Sequence, residues 1–335
     1  MIDESLWTRA IELIRSAQRP LLVAHVSPDA DSLGSAFALA LGLSSVGIKA
    51  SVSVGQPGLP VPTGLDALPG TEFFVDAADV VTPDLVVTLD ASSAERLGTL
   101  SVLTDAVTTI AIDHHRTYTG FATFALLDVE APATATIVHQ LLDRLGAPVT
   151  SDIATNLYAG LLTDTGSFRL PMVTADVHRE AGALLAAGAD AETGRDLLDR
   201  IPANALRLLG RALEDAVLYP DEAAGNGVVI TTIPQSLLRE WNVPFSETER
   251  IVATLRAVDE ADVAVVLREN DDNTWIVSLR SRGGCDVSGV ASALGGGGHH
   301  SAAGATVDVS PAQLLPRLFS LIDAHLSHGV GRGRA

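Results

Sequence analysis

The apolar positions in the first half of the chain fall into short continuous runs, each closed by polar residues. "PLLVAHV" (Pro20–Val26), "KASVSV" (Lys49–Val54), "DLVVTLDAS" (Asp84–Ser92) and "TTIAIDHH" (Thr108–His115) have strand length and β-branched content, and they read as strands. Between and after them the apolar spacing becomes helical. "DSLGSAFALALGLSSVG" (Asp31–Gly47) reads as a helix with Asp31 or Ser32 near its N-cap and Gly47 near its end. "TATIVHQLLDRLG" (Thr134–Gly146) and "SDIATNLYAGLLTDTG" (Ser151–Gly166) read as two more, and the first twenty residues as an amphipathic helix with an acidic start. This alternation is the rhythm of a parallel sheet covered by helices.

The rhythm then changes. A helical stretch from Thr174 to Leu218 bridges to "YPDEAAGNG" (Tyr219–Gly227), which has loop composition. Strands follow at "GVVITTI" (Gly227–Ile233), "ADVAVVLREN" (Ala261–Asn270) and "TWIVSLRS" (Thr274–Ser281). Helices are expected at "SETERIVATLRAV" (Ser246–Val258), "DVSGVASALG" (Asp286–Gly295) and "PAQLLPRLFSLIDAHL" (Pro311–Leu326). The pattern predicts one α/β domain over 1–190, a helical linker over 191–219 and a smaller α/β domain over 220–330, with the tail "GVGRGRA" loose.

A length of 335 residues suits two domains, and 47% hydrophobic residues suffice for large cores. No run of about 18 apolar residues predicts a membrane span. The acidic start lacks the basic and apolar regions of a signal peptide. The single cysteine, Cys285, can form neither an internal disulfide nor a thiolate metal cage. These features predict a cytoplasmic enzyme or binding protein with no membrane partner. The net charge of −19 and the lone lysine, Lys49, argue against a grip on long duplex nucleic acid, which needs cations to displace counterions. Short anionic substrates remain open where metal ions or local arginines supply positive charge.

Ligands of open parallel sheets bind outside the carboxyl ends of the strands. Here those ends carry His25, Asp29 and Asp31, then Asp90, then Asp113, His114 and His115; Asp164 adds a carboxylate at the end of a helix. Taken singly, each reads as well as a cap or a turn residue. Taken together in one crevice, the carboxylates repel unless cations neutralise them. Imidazoles mixed with carboxylates and no thiolate suit Mn²⁺, with Fe²⁺, Co²⁺ or Zn²⁺ as alternatives. So many ligands suggest two ions, an arrangement that clamps a phosphoryl group for in-line attack.

In order, "HVSPDADSLG", the strand-end Asp90, "DHH" (Asp113–His115), "TDTGSF" around Asp164 and "GGGGHHSAAG" (Gly295–Gly304) resemble the motifs of the DHH family of phosphoesterases over nearly the whole chain. The resemblance implies a parallel-sheet N-terminal DHH domain and a smaller α/β C-terminal DHH-associated domain. It implies that His25 and Asp29 hold one metal, that Asp31 and His114 hold a second, and that Asp90 and Asp164 complete the pair, with at least one of them bridging. Asp113 would orient a ligand, and His115 would face the scissile phosphate or its leaving oxygen. In the C-terminal domain the backbone of Gly296, Gly297 and Gly298 beside His299 would meet a phosphate, although glycine content alone also describes a tight turn. Arg280 is the expected phosphate clamp, because guanidinium matches phosphate geometry; Ser281 and Asp286 are weaker candidates.

Other residues carry plainer readings. His139 and His178 lie in predicted helices, and Cys285 reads as a packing residue. Phe168 suits a base-stacking or a core position equally, and Thr134, near an N-cap, and Thr136 begin a helix with a role near the metals left open. Within the family, the resemblance points to the nanoRNase and pAp-phosphatase branch. It implies a phosphodiesterase/phosphatase with two Mn²⁺ (Mg²⁺, Co²⁺ or Zn²⁺ being alternatives) in which a bridging hydroxide attacks phosphorus. The implied substrates are short oligoribonucleotides (nanoRNA), pAp, and the dinucleotides pApA and c-di-AMP, and a homodimer is compatible with it. Three rivals remain: a RecJ-like single-strand exonuclease, an inorganic pyrophosphatase, and a nucleotide sensor without activity. The first would carry extra DNA-binding surface, the second a different C-terminal domain, and the third would have lost a ligand, whereas none is lost here.

Overall fold

The computed structural model describes residues 2–326 apart from 244 and 271; the tail expected to be loose lies outside the described residues. The chain forms two compact units, Met1–Arg200 and Ile201 onward.

In the first unit α1 (Glu4–Ser16) leads into β1 (Pro20–Ala24), α2 (Ala30–Ser45) and β2 (Ser51–Val54). Short 3₁₀ turns surround β3 (Leu85–Leu89) and lead through α3 (Leu103–Ala106) to β4 (Thr109–Asp113) and β5 (Phe124–Leu127). Four helices follow: α4 (Thr134–Leu145), α5 (Ser151–Asp164), α6 (Ala175–Ala186) and α7 (Ala191–Asp199). The strands are all parallel, in the order β2-β1-β3-β4-β5. Every residue of β1, β3 and β4 is buried, which is why these segments read as continuous apolar runs: both faces of the sheet are covered. One face packs on α1, α2, α4 and α5 around Trp7, Phe37, Leu141 and Leu157. The other packs Leu21, Val23 and Val86 against Leu97 and Leu100. Thirteen of the 16 residues of α2 are buried, so its composition is apolar nearly all round rather than striped.

The order of strands reverses beside β1, which has β2 on one side and β3 on the other. Ala24 pairs with Leu89, and Leu89 with Ile112, so β1, β3 and β4 end level with one another. The residues that follow those ends share one crevice at the switch point of the sheet.

The start of α2 differs from expectation. Its N-cap is Asp29, not Asp31 or Ser32. The Asp29 carboxylate accepts the Ser32 N–H at 2.9 Å, and the Asp29 N–H donates to Ser32 Oγ at 3.1 Å. This reciprocal box begins the helix one residue early, at Ala30, and frees Asp31 from capping its own helix.

The second unit runs α8 (Ala203–Glu214), β6 (Val217–Tyr219), a single turn α9 (Glu222–Gly225), β7 (Val228–Ile233), α10 (Gln235–Trp241), α11 (Glu249–Leu255), β8 (Val263–Glu269), β9 (Trp275–Ser281), α12 (Val287–Ala293), β10 (Gly297–His299), β11 (Ala302–Val307) and α13 (Pro311–Ala324). Its mixed sheet has the order β10-β11-β9-β8-β7-β6, with β7 and β8 parallel. One face packs on α12 and α13, the other on α8, α10 and α11. The stretch 191–219 is shared between the units: α7 packs on α5 through Gly194, whereas Ala205, Leu208 and Ala212 of α8 enter a core of the second unit. The glycine-rich segment, which carries no apolar alternation, forms a hairpin with Ala302–Val307 on the edge of the second sheet.

Candidate functional site

His25 follows β1 directly. Its Nδ1 donates to the carbonyl of Val26 at 2.8 Å, since a carbonyl only accepts. Its Nε2 is buried without a hydrogen-bond partner and faces Asp90 Oδ2 at 3.4 Å and Asp29 Oδ2 at 3.5 Å. His114 follows β4. Its Nδ1 donates to the carbonyl of Ala131 at 3.1 Å, which turns Nε2 towards Asp164 Oδ2 at 3.1 Å and Asp90 Oδ1 at 3.5 Å. Asp90 therefore presents one carboxylate oxygen to each histidine. The chain leaves β3 at Asp90 with φ +59°, a left-handed conformation that Asp tolerates better than most residues and that is held here by the surrounding packing.

The remaining residues join these two groups. Potential ligand atoms of His25, Asp29 and Asp90 lie within 4.8 Å of one another, and so do those of Asp31, His114 and Asp164. Asp90, Asp113 and His115 form a third such set. Asp113 is fully buried, and its Oδ1 accepts from the His115 ring at 2.7 Å and from the backbone N–H of His114 at 2.8 Å. With Nδ1 of His115 held there, any chemistry of that ring falls to Nε2. Asp31 reaches the first turn of α4: its Oδ2 accepts the Thr134 N–H at 2.7 Å and its Oδ1 the Ala135 N–H at 2.9 Å.

The electrostatics describe a site short of positive charge. Burial opposes a proton on His25, but Asp29 and Asp90 outweigh it and lift the imidazole to about 10. His114 is likewise raised by Asp164, Asp90 and Asp31 against its burial. Burial, reinforced by Asp90 and Asp164, pushes Asp31 well above the carboxylate range. Burial also lifts Asp164, against its contact with His114. Asp90 goes the other way: despite burial, its contacts with His25 and His115 hold it down. Protons on the histidines carry the charge that crowded carboxylates demand. A divalent cation would replace it, and the Nε2 of His25, buried with no hydrogen-bond partner among the described residues in an oxygen-rich, thiolate-free donor set, fits one.

The candidates in the second unit have their own setting. Ala302 pairs with His299 on one side and with Arg280 on the other, so His299 and Arg280 share one face of the sheet about 10 Å apart. Arg280 also donates to the Leu279 carbonyl at 2.9 Å. Ser281 is buried, and its hydroxyl accepts the N–H groups of Gly283 and Cys285, which occupies it in a turn. Asp286 caps α12. Gly296 and Gly297 lie beside β11, and Gly298 has φ +143°; a Cβ on Gly298 would stand 2.6 Å from the carbonyl oxygen of Ala302. Close strand approach thus requires glycine at 298 whether or not a phosphate binds.

Phe168, open between base and core at the sequence level, packs on the core of the first unit beside Tyr158 and His178. Thr134 begins α4, next to its N-cap. Ala133 occupies that position, and the Thr134 hydroxyl donates to Asp90 Oδ1 at 2.9 Å. Gly160 carried no local signal, yet a Cβ there would lie 2.7 Å from Asp31 Oδ1.

Residues 20–161 match the DHH family, N-terminal domain, and residues 225–328 the DHHA1 domain. A relative from Thermus thermophilus, the bifunctional oligoribonuclease and PAP phosphatase NrnA, is 34% identical over 298 residues, covering 88% of this chain and 86% of that protein. The chain belongs to the DHH family. It is a hydrolytic phosphoesterase of that family, whose members depend on metal. This DHH chain is also similar to the Bacillus subtilis NrnA of the same description, at 26% identity over 305 residues, 90% of this chain and 93% of that one. The cyclic-di-AMP phosphodiesterase GdpP of Bacillus subtilis is 24% identical over 339 residues, which are 96% of this chain but 50% of GdpP. In fold, the DHH chain resembles an exopolyphosphatase-related protein from Bacteroides fragilis, with TM-score 0.84, 22% identity and 97% coverage of each chain.

Proposed function

We propose that this phosphoesterase is an Mn²⁺-dependent, two-metal phosphodiesterase/phosphatase that hydrolyses short oligoribonucleotides, pApA or c-di-AMP, and pAp to nucleoside monophosphates. The observation that carries the reading is Asp90, with one oxygen towards His25 and the other towards His114. His25 and Asp29 would hold one ion, Asp31 and His114 the other, with Asp90 between them and Asp164 completing the second group. When bound, such ions supply Lewis-acid stabilisation of the phosphoryl charge and lower the pKa of water.

The chain's own residues do the rest. Asp113 fixes the His115 ring through Nδ1, which positions Nε2 to hold or deliver a proton at the leaving oxygen. The backbone carbonyls of Val26 and Ala131 fix the His25 and His114 tautomers, so each ring offers Nε2. In the second unit, Arg280 and His299 offer two hydrogen-bonding groups on one face of the sheet, a pairing suited to a phosphate. A short substrate needs no long basic groove, in keeping with a net charge of −19. Relatives named for oligoribonucleotides, PAP and cyclic di-AMP support this substrate class.

The test is product formation from pApA in Mn²⁺, beside a chelator control and a parallel c-di-AMP sample. Metal-dependent release of AMP from pApA is expected, and the c-di-AMP sample reports whether the ring is also opened. Absence of AMP release from pApA and from short oligoribonucleotides in Mn²⁺ refutes the phosphodiesterase reading.

A further inference from the structure

The first turn of α4 reaches both halves of the carboxylate cluster. Thr134 is completely buried. Its backbone N–H donates to Asp31 Oδ2 at 2.7 Å, and its hydroxyl donates to Asp90 Oδ1 at 2.9 Å. The next amide, of Ala135, donates to Asp31 Oδ1 at 2.9 Å. One residue thus binds a carboxylate from each of two chain segments, the start of α2 and the end of β3. The N-cap residue of α4, Ala133, has no side-chain acceptor, so the carboxylate of Asp31 does the work of an N-cap in trans.

We propose that Thr134 is a positioning residue for the metal centre: its hydroxyl sets the rotation of the Asp90 carboxylate, and its amide that of Asp31. This rests on the two-metal reading above. An aspartate carboxylate turns about a soft torsion with a broad, two-fold profile. If Asp90 turned, it would lose the arrangement in which Oδ1 faces His114 and Oδ2 faces His25. The Thr134 hydroxyl takes up one lone pair of Oδ1 from the α4 side and leaves the rest of the carboxylate to the two histidine groups.

Valine replaces the hydroxyl of threonine with a methyl at nearly constant shape, whereas serine keeps the hydroxyl. The experiment titrates Mn²⁺ into chelator-stripped full-length wild type, Thr134→Val and Thr134→Ser by calorimetry, with melting curves in chelator alongside. Thr134→Val is expected to weaken Mn²⁺ binding by about 10- to 100-fold, the usual range for a hydrogen-bonding residue behind a metal ligand. Thr134→Ser should stay within about threefold of wild type. Where the valine variant does not fold, Thr134→Ala removes the hydroxyl without adding a methyl and is read in the same way. Equal Mn²⁺ affinity in wild type and the hydroxyl-free variant overturns the proposal, and so does an equal loss in Thr134→Ser. Failure of the wild type to bind Mn²⁺ overturns the metal reading on which it rests, and is told apart by that protein alone.

Discussion

A single methyl at position 160 separates packing from intrinsic helix preference in this fold. Gly160 lies inside α5, where alanine is favoured over glycine by about 1 kcal/mol on propensity alone. A Cβ built there would meet Asp31 Oδ1 at 2.7 Å, Ala135 Cβ at 3.0 Å and Asp31 Cα at 3.1 Å. Ordinary carbon contacts need about 3.5–4.0 Å, so a neighbour must move by several tenths of an ångström. None of the three is the loose end of a long side chain. The Asp31 carboxylate is held by two α4 amides, Ala135 belongs to the first turn of α4, and the third atom is backbone. Overpacking of this kind costs about 1–3 kcal/mol. If Asp31 yields instead, two buried N–H groups lose their acceptor, at about 1–3 kcal/mol each. After the propensity gain, Gly160→Ala should lose about 0–2 kcal/mol where the packing strains and about 1–5 kcal/mol where Asp31 yields, each kcal/mol lowering Tm by about 2–4 °C for a unit of this size. Gly182→Ala in α6 is the matched control: it is exposed, nothing lies within 4 Å of its Cβ, and its Tm should rise by about 2–4 °C. Melting in chelator measures both variants, and AMP release in Mn²⁺ measures the consequence at Asp31, which should fall further than the stability loss explains. A Gly160→Ala protein that melts at or above wild type with full Mn²⁺-dependent activity refutes the reasoning.

Three further outcomes are expected. Asp90→Ala removes the carboxylate that faces both His25 and His114 and should abolish turnover on every substrate; residual activity on any of them, measured with Mn²⁺ in excess, contradicts the bridging role. Arg280→Ala should raise KM for substrates with a distal phosphate and leave hydrolysis of a minimal non-nucleotide phosphodiester unchanged, so an equal loss on both removes Arg280 from substrate binding. Cys285 is fully buried, and burial followed by the charges of Asp262, Asp286 and Asp323 pushes its thiol up to about 12. A thiol-reactive chromophore should therefore label it only in denaturant, and rapid labelling of the native protein contradicts that burial.

In the first unit β1, β3 and β4 were legible because each is a continuous apolar run, and α1, α2 and α5 because a polar cap marks the start of each, whereas β5, a short strand at the sheet edge, went unread. The strand-end residues His25, Asp90, Asp113 and His114 were legible for the same reason, since the apolar run stops where the chain reaches the crevice. The sequence also placed Arg280 on a strand of the second domain. Local signals were ambiguous where two residues could do one job. Asp29, Asp31 and Ser32 are all good N-caps, and only the reciprocal bonding of Asp29 with Ser32 selects the first. The hairpin of Gly297–His299 with Ala302–Val307 left no pattern, because a glycine-rich edge strand draws its stability from its neighbour's backbone rather than from alternating side chains.

By itself, then, the sequence determined the strand-and-helix rhythm, the identities of the candidate metal ligands and the chemistry that such donors favour, because these depend on residue type and near neighbours. The tertiary structure brings those candidate ligands together in space, in the groups that the family resemblance implied. That Asp90 faces two histidines follows from β1, β3 and β4 ending level in one sheet. That Thr134 binds Asp31 and Asp90, 103 and 44 residues away along the chain, follows from α4 docking its first turn onto those strand ends. That residue 160 must be glycine follows from α5 approaching the same carboxylate from another side. Contacts between residues so far apart in the chain are fixed by strand register and helix packing, which no local pattern of residues records.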